Sequence, residues 1–463
     1  MSDGSSADTA GGEGERENRS GAATRAIHAG WDEDPQTGAR SPPIHQTAAY
    51  GFPDADTAAD LYALRETGDV YTRISNPTTR ALERRLAALA GGADAVATNS
   101  GMAAIDTITT TLAQAGDNVV ASADMYGGTG SYFANTADRR GVELRTVETT
   151  DVSAYADAID DDTAYVHVET LANPSLATPD LSAVADVAHD HAVPLVVDNT
   201  FATPALCRPI DHGADITWSS TTKWLHGAGT TVGGVIVDGG TFPWEHPEAD
   251  YAELDGENPA FGVDFTERFA AAPFAAVARH RGVRALGNAQ SPFDAWQTVQ
   301  GVTTLPTRME RHCRNTRAVA EHLRDHPGVS WVRYPGFSDH PTHDAAAEYL
   351  DDFGSVVVFG LDGGFEAGKT FCESVETVSF MANIGDTRTL VVHPASTTHA
   401  QLSEDEQRAA GVTPDLLRLS VGLEDPADLT ADIDQAIKTA NAAAADDAAT
   451  DADGTATDEV TDS

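Results

Sequence analysis

TAYVHVETLANPSLATPDLSAVADVAHDHAVPLVVDNT, residues 163–200, reads as strand, helix, strand. TAYVHVET (163–170) and PLVVDNT (194–200) are short β-rich runs, and LSAVADVAHDHA (181–192) between them carries apolar residues at helical spacing. A strand, a crossover helix and a second strand form the unit from which parallel sheets are built. The pattern continues on both sides. AVAT (95–98), DNVVAS (117–122) and VGGVIV (232–237) supply further strands, and TTRALERRLAAL (78–89) and GMAAIDTITTTLAQA (101–115) further helices. The expected fold class is therefore α/β, with a mostly parallel central sheet covered on both faces. Ligands of such sheets bind at the carboxyl ends of the strands, which puts Asp198, directly after PLVV, at a candidate site.

A second region starts at about residue 301. ERHCRNTRAVAEHLRDH (310–326) has the period of a long helix, SVVVFGL (355–361) and TLVVHP (389–394) read as strands, and Ser403 with Glu406 has the spacing of a capping box. The organisation expected is a disordered acidic N-terminus (1–22), an N-terminal arm (23–75), a large domain (76–300), a smaller C-terminal α/β domain (301–440) and a disordered acidic tail (441–463). Residues 241–268, rich in Pro, Gly and acids but carrying several aromatics, read as an ordered surface excursion, with a plain solvated loop as the alternative.

Bulk charge excludes some functions. Across 463 residues, 72 acids face 29 bases, a formal net charge of -43. Nucleic acid and anionic membrane are poor partners for such a surface, and no apolar run is long enough to span a bilayer. The first residues, MSDGSSADTAGGEGEREN, lack the basic and then apolar segments of a signal peptide, so the expected location is cytoplasmic. An acid excess spread along the whole chain, together with only three lysines, suggests adaptation to high salt, where screening relieves self-repulsion. Cys207, Cys313 and Cys372 are far apart and odd in number, so they suggest buried apolar residues rather than a disulfide framework or a zinc motif. Pairs of histidines, His340 with His343 and His393 with His399, lack a clear third ligand and fit loop hydrogen bonding better than a metal site.

One of the three lysines, Lys223, stands in STTKWLHGAGTT (220–231), in a chain that elsewhere prefers arginine. A primary amine can lose its proton and attack a carbonyl, whereas a guanidinium stays charged. Ser220 and Thr222 can bind phosphate oxygens without adding charge, and a carboxylate at Asp198 could hold a pyridine nitrogen protonated. A Schiff-base lysine, a phosphate cup and an acid for a ring nitrogen together describe a pyridoxal 5'-phosphate (PLP) site.

Over residues 24–440 the sequence resembles the Cys/Met-metabolism group of PLP enzymes. TRAIHAG (24–30), YTRISNPTT (71–79), NSGMAAI (99–105), MYGGT (125–129), ETLANPSL (169–176), VVDNTFATP (196–204), STTKW (220–224) and LRLSVGLED (417–425) match in order and spacing. The resemblance implies the fold of the aspartate-aminotransferase-like PLP transferases, fold type I. It further implies that Lys223 holds PLP covalently and moves protons between substrate Cα and Cγ, and that Asp198 pairs with the pyridinium nitrogen. Gly101 and Met102, opening a helix, would give backbone N–H groups to the phosphate, with Ser220 and Thr222 completing the cup. Tyr126 would stack on the ring and help proton transfer, and Asn173 would contact the phenolic oxygen. Tyr71 and Arg73, on the arm, would reach the phosphate of a neighbouring subunit, making the active protein a homodimer or homotetramer. Arg418 would clamp the substrate carboxylate, helped by the backbone around Asn383.

Flanking segments select a branch of the family. VGGVIVDGGTFPW (232–244), SPFDAWQTVQGVTTLPTRMERH (291–312) and HPASTTHAQLSEDEQRAAGVTPDLLRLSVG (393–422) resemble enzymes that displace acetate from O-acetylhomoserine with sulfide, giving homocysteine for methionine biosynthesis. Met102 departs from the Gln usual in that branch, and His226 and Ala228 from its Gly and His. The alternatives are a cystathionine γ-synthase, a cystathionine or methionine γ-lyase, or a non-catalytic acidic scaffold that kept the fold.

Overall fold

The computed structural model describes residues 20–454 except Glu248, Asp255, Leu402 and Ala410. Residues 1–19 of the N-terminus expected to be disordered, and 455–463 of the tail, lie outside the described residues. The chain forms two compact units. The first takes the chain up to Ala172, Ala177–Thr307 and Glu348–Asp351; the second takes Asn173–Leu176, Arg308–Ala347 and the chain from Asp352 onward.

The first unit is built on a seven-stranded sheet. Its strands are β1 (Asp94–Thr98), β2 (Asn118–Ser122), β3 (Glu143–Val147), β4 (Thr163–Glu169), β5 (Leu195–Asp198), β6 (Ile216–Ser219) and β7 (Gly234–Asp238), in the spatial order β1-β7-β6-β5-β4-β2-β3. All neighbours are parallel except at β7, which runs antiparallel to both β1 and β6. Every residue of β2, β4, β5, β6 and β7 is buried. That explains why apolar runs such as LVV need not alternate with polar residues: helices cover both faces.

Several helices of this unit begin where a short polar side chain can satisfy their free amides. Helix α1 (Pro77–Ala90) follows Asn76, whose side chain accepts from Thr78 N–H, and ends at Gly91 in the left-handed conformation, φ 81°. Helix α2 (Gly101–Leu112) is capped by Ser100, which accepts from Ala103 N–H. Helix α3 (Gly127–Tyr132) is one short turn and a half, and α4 (Leu181–Asp190) is capped by Asp180. Ala104, Ile105, Ile108 and Leu112 of α2 pack against Val96, Val119, Val196, Ile216 and Trp218 of the sheet. At about 1.5–3 kcal/mol per fully buried large apolar side chain, this face fixes the helix to the sheet.

Ahead of α1, the arm is tied to it: Asn76 Nδ2 donates to His45 O (2.9 Å) and Tyr50 Oη (2.8 Å), and Thr78 Oγ1 donates to Pro43 O (2.8 Å). Behind α1 sits a buried charge network. Glu83, fully buried, accepts from Arg279 (3.0 and 2.9 Å), Arg80 (2.7 Å) and Ala97 N–H (2.9 Å). Burial alone would push its pKa up, but the two guanidinium groups outweigh that and hold it below the usual value.

The described residues of 241–268 are ordered, as the first reading expects, but their aromatics turn inward. Phe242, Trp244, Tyr251, Leu254 and Phe265 are buried in the same core as the sheet, and Tyr251 Oη donates to Ala164 O of β4 at 2.8 Å. Trp244 stacks on Phe274 with ring centroids 5.8 Å apart. These five side chains pin an otherwise largely exposed segment to the core, because aromatic rings spaced along an irregular chain bury large apolar areas.

The first unit also holds a two-stranded antiparallel ladder, β8 (Glu257–Asn258) with β9 (Val263–Asp264); in the second unit, β10 (Val329–Arg333), β11 (Val356–Leu361), β12 (Ser379–Phe380), β13 (Leu390–Val392) and β14 (Leu416–Ser420) form a sheet in the order β10-β11-β14-β13-β12, antiparallel save for β12–β13. Helices α5 (Leu305–Asp325), α6 (Gly364–Ser374) and α7 (Pro426–Gly454) complete it. Leu429, Ile433, Ala436, Ile437 and Ala440 give α7 a buried stripe at helical spacing, packed with Phe371, Leu417 and Leu419. The division between units falls inside α5, after Thr307. Helix α7 also continues past residue 441, where the sequence reading ends the fold, to Gly454. Its run of alanines, Ala442–Ala445 with Ala448 and Ala449, is the strongest helix-forming composition available, so low complexity here does not mean coil. No helix among the described residues is long and apolar enough to cross a membrane.

Candidate active site

In the first unit the expected residues follow the carboxyl ends of parallel strands. Gly101 and Met102 come after β1, Tyr126 after β2, Asp198 closes β5, and Ser220, Thr222 and Lys223 come after β6. They are joined by a continuous run of contacts. A Cβ added at Gly101 would lie 2.9 Å from Ser220 Cβ, so only glycine lets the start of α2 come this close to the β6 loop. Ser220 N–H donates to Thr200 Oγ1 (2.9 Å), and Thr200 gives Asp198 Oδ1 two hydrogen bonds, from its hydroxyl (2.5 Å) and its N–H (2.9 Å). Asp198 pairs in register with Glu169 at the end of β4. Glu169 Oε1 in turn accepts from Tyr126 N–H at 2.5 Å.

Electrostatics divide this run into two ends. At one end, the first amides of α2 have no intrahelical acceptor, and Ser100 takes only that of Ala103 (3.1 Å). The N–H groups of Gly101 and Met102 therefore sit at the positive end of a twelve-residue helix dipole. Ser220 stands against them. Thr222 Oγ1 accepts from Gly233 N–H (3.1 Å), which holds the hydroxyl in place, and its contact to Gly233 O is longer, 3.3 Å. At the other end, Asp198 is 7% exposed. Burial pushes its pKa up to about 7, and the two bonds from Thr200 offset only part of that. A buried carboxylate of this kind is stabilised by an incoming cationic N–H.

Lys223 is half-buried in a tight turn after Ser220: its N–H reaches Ser220 O (3.3 Å), and its carbonyl accepts from Gly227 N–H (2.8 Å). His226 occupies the same turn. Its N–H donates to Thr221 O (3.0 Å), and its ring Nε2 meets Thr230 Oγ1 (2.7 Å), which donates to Gln297 Oε1 (2.9 Å). Tyr126 is 47% exposed, and its ring lies over Gly128, where a Cβ would come within 2.3 Å of the ring.

Tyr71 and Arg73 lie in the first unit, exposed and packed on each other, with the guanidinium 5.4 Å from the tyrosine centroid. Arg73 also donates to Arg284 O. In the second unit, Arg418 projects from β14, paired in register with Val358 and Val392, and donates to Asn173 Oδ1 at 2.9 Å. Asn383 follows β12, its N–H on Met381 O (3.0 Å). The sequence reading named these residues but gave no role to Thr200 or Glu169. Both stand inside motifs it quoted, and only the side-chain geometry shows what they hold. His393 is bridged by Ser396 Oγ (2.8 Å) and Pro414 O (2.7 Å), and His343 by Pro335 O (2.8 Å), which is loop hydrogen bonding.

A primary amine, helix amides with hydroxyls beside them and a buried acid are the groups that a PLP site requires, and these residues fit that cofactor. The family model for Cys/Met metabolism PLP-dependent enzymes matches residues 23–438, and the chain belongs to that family. It is 45% identical over 426 residues to O-acetyl-L-homoserine sulfhydrylase of Leptospira meyeri, covering 90% of this chain and 96% of the relative. It is 46% identical over 418 residues to O-acetyl-L-homoserine sulfhydrylase 1 of Thermus thermophilus, covering 89% and 99%. A crystal structure from Campylobacter jejuni, named as an O-acetylhomoserine (thiol)-lyase and carrying N'-pyridoxyl-lysine-5'-monophosphate, aligns with TM-score 0.86 at 35% identity, over 90% of this chain and all of that one. The fold is thus that of the PLP-dependent type I enzymes, and PLP is the cofactor.

Proposed function

We propose that the protein catalyses γ-replacement: O-acetyl-L-homoserine and sulfide give L-homocysteine and acetate, a step of methionine biosynthesis. The observation that carries the choice of substrates is the 45–46% identity, over about nine-tenths of the chain, to relatives named for that reaction. The chemistry supplied by bound PLP is electron withdrawal through a protonated ring, which acidifies the substrate Cα and Cβ protons.

The chain's own residues do the rest. Asp198, through Oδ2, keeps the proton on the ring nitrogen. Gly101 and Met102 N–H, with Ser220 and Thr222 hydroxyls, hold the phosphate. Lys223 would hold the cofactor through its aldehyde, and its amine is the base that takes the substrate Cα and Cβ protons and, once sulfide has bonded at Cγ, returns protons to Cβ and Cα. Tyr126 would cover the ring, with its backbone N–H held by Glu169. Arg418 binds the substrate carboxylate, its guanidinium edge fixed by Asn173 Oδ1 (2.9 Å), so Asn173 Nδ2 is left to donate to the ring phenolate. The backbone at Asn383 orients the same carboxylate. At Cγ the C–O bond breaks, acetate leaves, and sulfide forms the C–S bond.

The active species is a homodimer or homotetramer in the cytoplasm, in which the exposed Tyr71 and Arg73 reach the phosphate of the adjoining subunit. Product analysis tests the reaction. Homocysteine and acetate are expected only when O-acetylhomoserine and sulfide are both present. Ammonia and a keto acid from one substrate alone would instead assign a γ-lyase, and cystathionine formed from cysteine in preference to homocysteine from sulfide would assign a γ-synthase.

A further inference from the structure

The hydroxyl of Thr200 has one hydrogen and two partners. Ser220 N–H, 2.9 Å away, can only donate, so Thr200 Oγ1 accepts there and gives its own hydrogen to Asp198 Oδ1 at 2.5 Å. Oδ1 also receives Thr200 N–H at 2.9 Å. With two donors on Oδ1, and no hydrogen bond from a described residue on Oδ2, a proton or a cationic N–H is directed to Oδ2. Thr200 is itself 8% exposed, so water does not compete well for these bonds. The same hydroxyl reaches both ends of the site: the acid on one side, and on the other the Ser220 segment that lies against Gly101.

We propose that Thr200 is the positioning residue of the cofactor site: its hydroxyl fixes the rotation of the Asp198 carboxylate so that Oδ2 faces the ring nitrogen, and it sets the spacing between that acid and the Ser220 phosphate segment. The inference rests on the reading that Asp198 serves the ring nitrogen and Ser220 the phosphate. Without the hydroxyl, the Asp198 anion loses a charge-assisted donor, its carboxyl is free to turn, and Ser220 N–H loses its acceptor. The hydroxyl's donation also lowers the Asp198 pKa, so its loss moves that pKa further up.

The test compares Thr200→Val, Thr200→Ala and Thr200→Ser by the dissociation constant of PLP from the apoprotein and by the pH titration of the holoprotein's visible absorbance. Val and Ala should each weaken PLP about 10- to 100-fold, the range for one hydrogen bond to a charged group, and shift the absorbance titration. Ser should restore both towards wild type. Wild-type affinity and titration in Val and Ala would overturn the proposal, and so would a Ser variant as weak as Val, since the methyl and not the hydroxyl would then matter. Asp198→Asn serves as the control. Unchanged PLP binding there would remove the assignment of Asp198 itself, whereas weak binding there with normal binding in Thr200→Val removes only the role of Thr200.

Discussion

Asp198 ought to weaken the apoprotein in order to strengthen the holoprotein. Its pKa is about 7 in the folded apoprotein against an ordinary 3.8, raised by burial. The folded state therefore binds the proton more tightly than the unfolded chain. By linkage, stability is greatest below the unfolded value and falls as pH rises through the window from about 4 to about 7. At about 1.4 kcal/mol per pKa unit, the ionised carboxylate costs the apoprotein about 4 kcal/mol at pH values above that window. Asp198→Asn keeps an oxygen to accept from Thr200 and removes the charge. Urea unfolding of the two apoproteins should show the variant more stable by a few kcal/mol at about pH 8, and nearly equal to wild type at about pH 4. Saturating PLP should reverse the order, because a ring N–H cation pairs with the carboxylate and stabilises only the wild type in that way. An Asn variant no more stable than wild type at about pH 8, or a gap that does not change with pH, would refute the reasoning.

Three further outcomes follow from other parts of the structure. Gly101→Ala puts a Cβ 2.9 Å from Ser220 Cβ, so the helix start must retreat; PLP affinity measured on the apoprotein should fall about tenfold, and an unchanged constant would show that the approach is not needed. Glu83→Ala leaves the Arg80 and Arg279 charges without their buried partner; calorimetry should show a loss of about 3–5 kcal/mol in stability, and a neutral result would mean the network relaxes into solvent. With a net charge of -43, the melting temperature should rise from low to molar KCl, and a flat or falling curve would contradict adaptation to salt.

The parallel core of the fold was legible because β2, β4 and β5 are buried on both faces and so read as continuous apolar runs. Strands β3 and β6 were missed for different reasons. The residues of β3, ELRTV, sit at the sheet edge, half-exposed and mixed in character. In β6, ITWS, only Ile216 and Trp218 are apolar, yet Thr217 and Ser219 are buried too, a result of helices on both sides that four residues cannot reveal. The site was legible as residue types in order: an amine, an acid, small residues at a helix start. What holds those groups in place was not, because the Thr200 and Glu169 side chains accept from backbone amides up to 43 residues away, and their direction depends on rotamers. In residues 241–268 the aromatics signalled order, but the Pro, Gly and acids between them, which mark loops well, gave no sign that the rings turn inward.

The central claim is that one amine carries the cofactor, and having only Lys223, Lys369 and Lys438 makes it unusually easy to test. Borohydride reduction of the yellow holoprotein, followed by proteolysis and mass spectrometry, should place the pyridoxyl phosphate mass on the peptide containing Lys223. A label on Lys369 or Lys438, or no label on a protein that had bound PLP, would contradict the account.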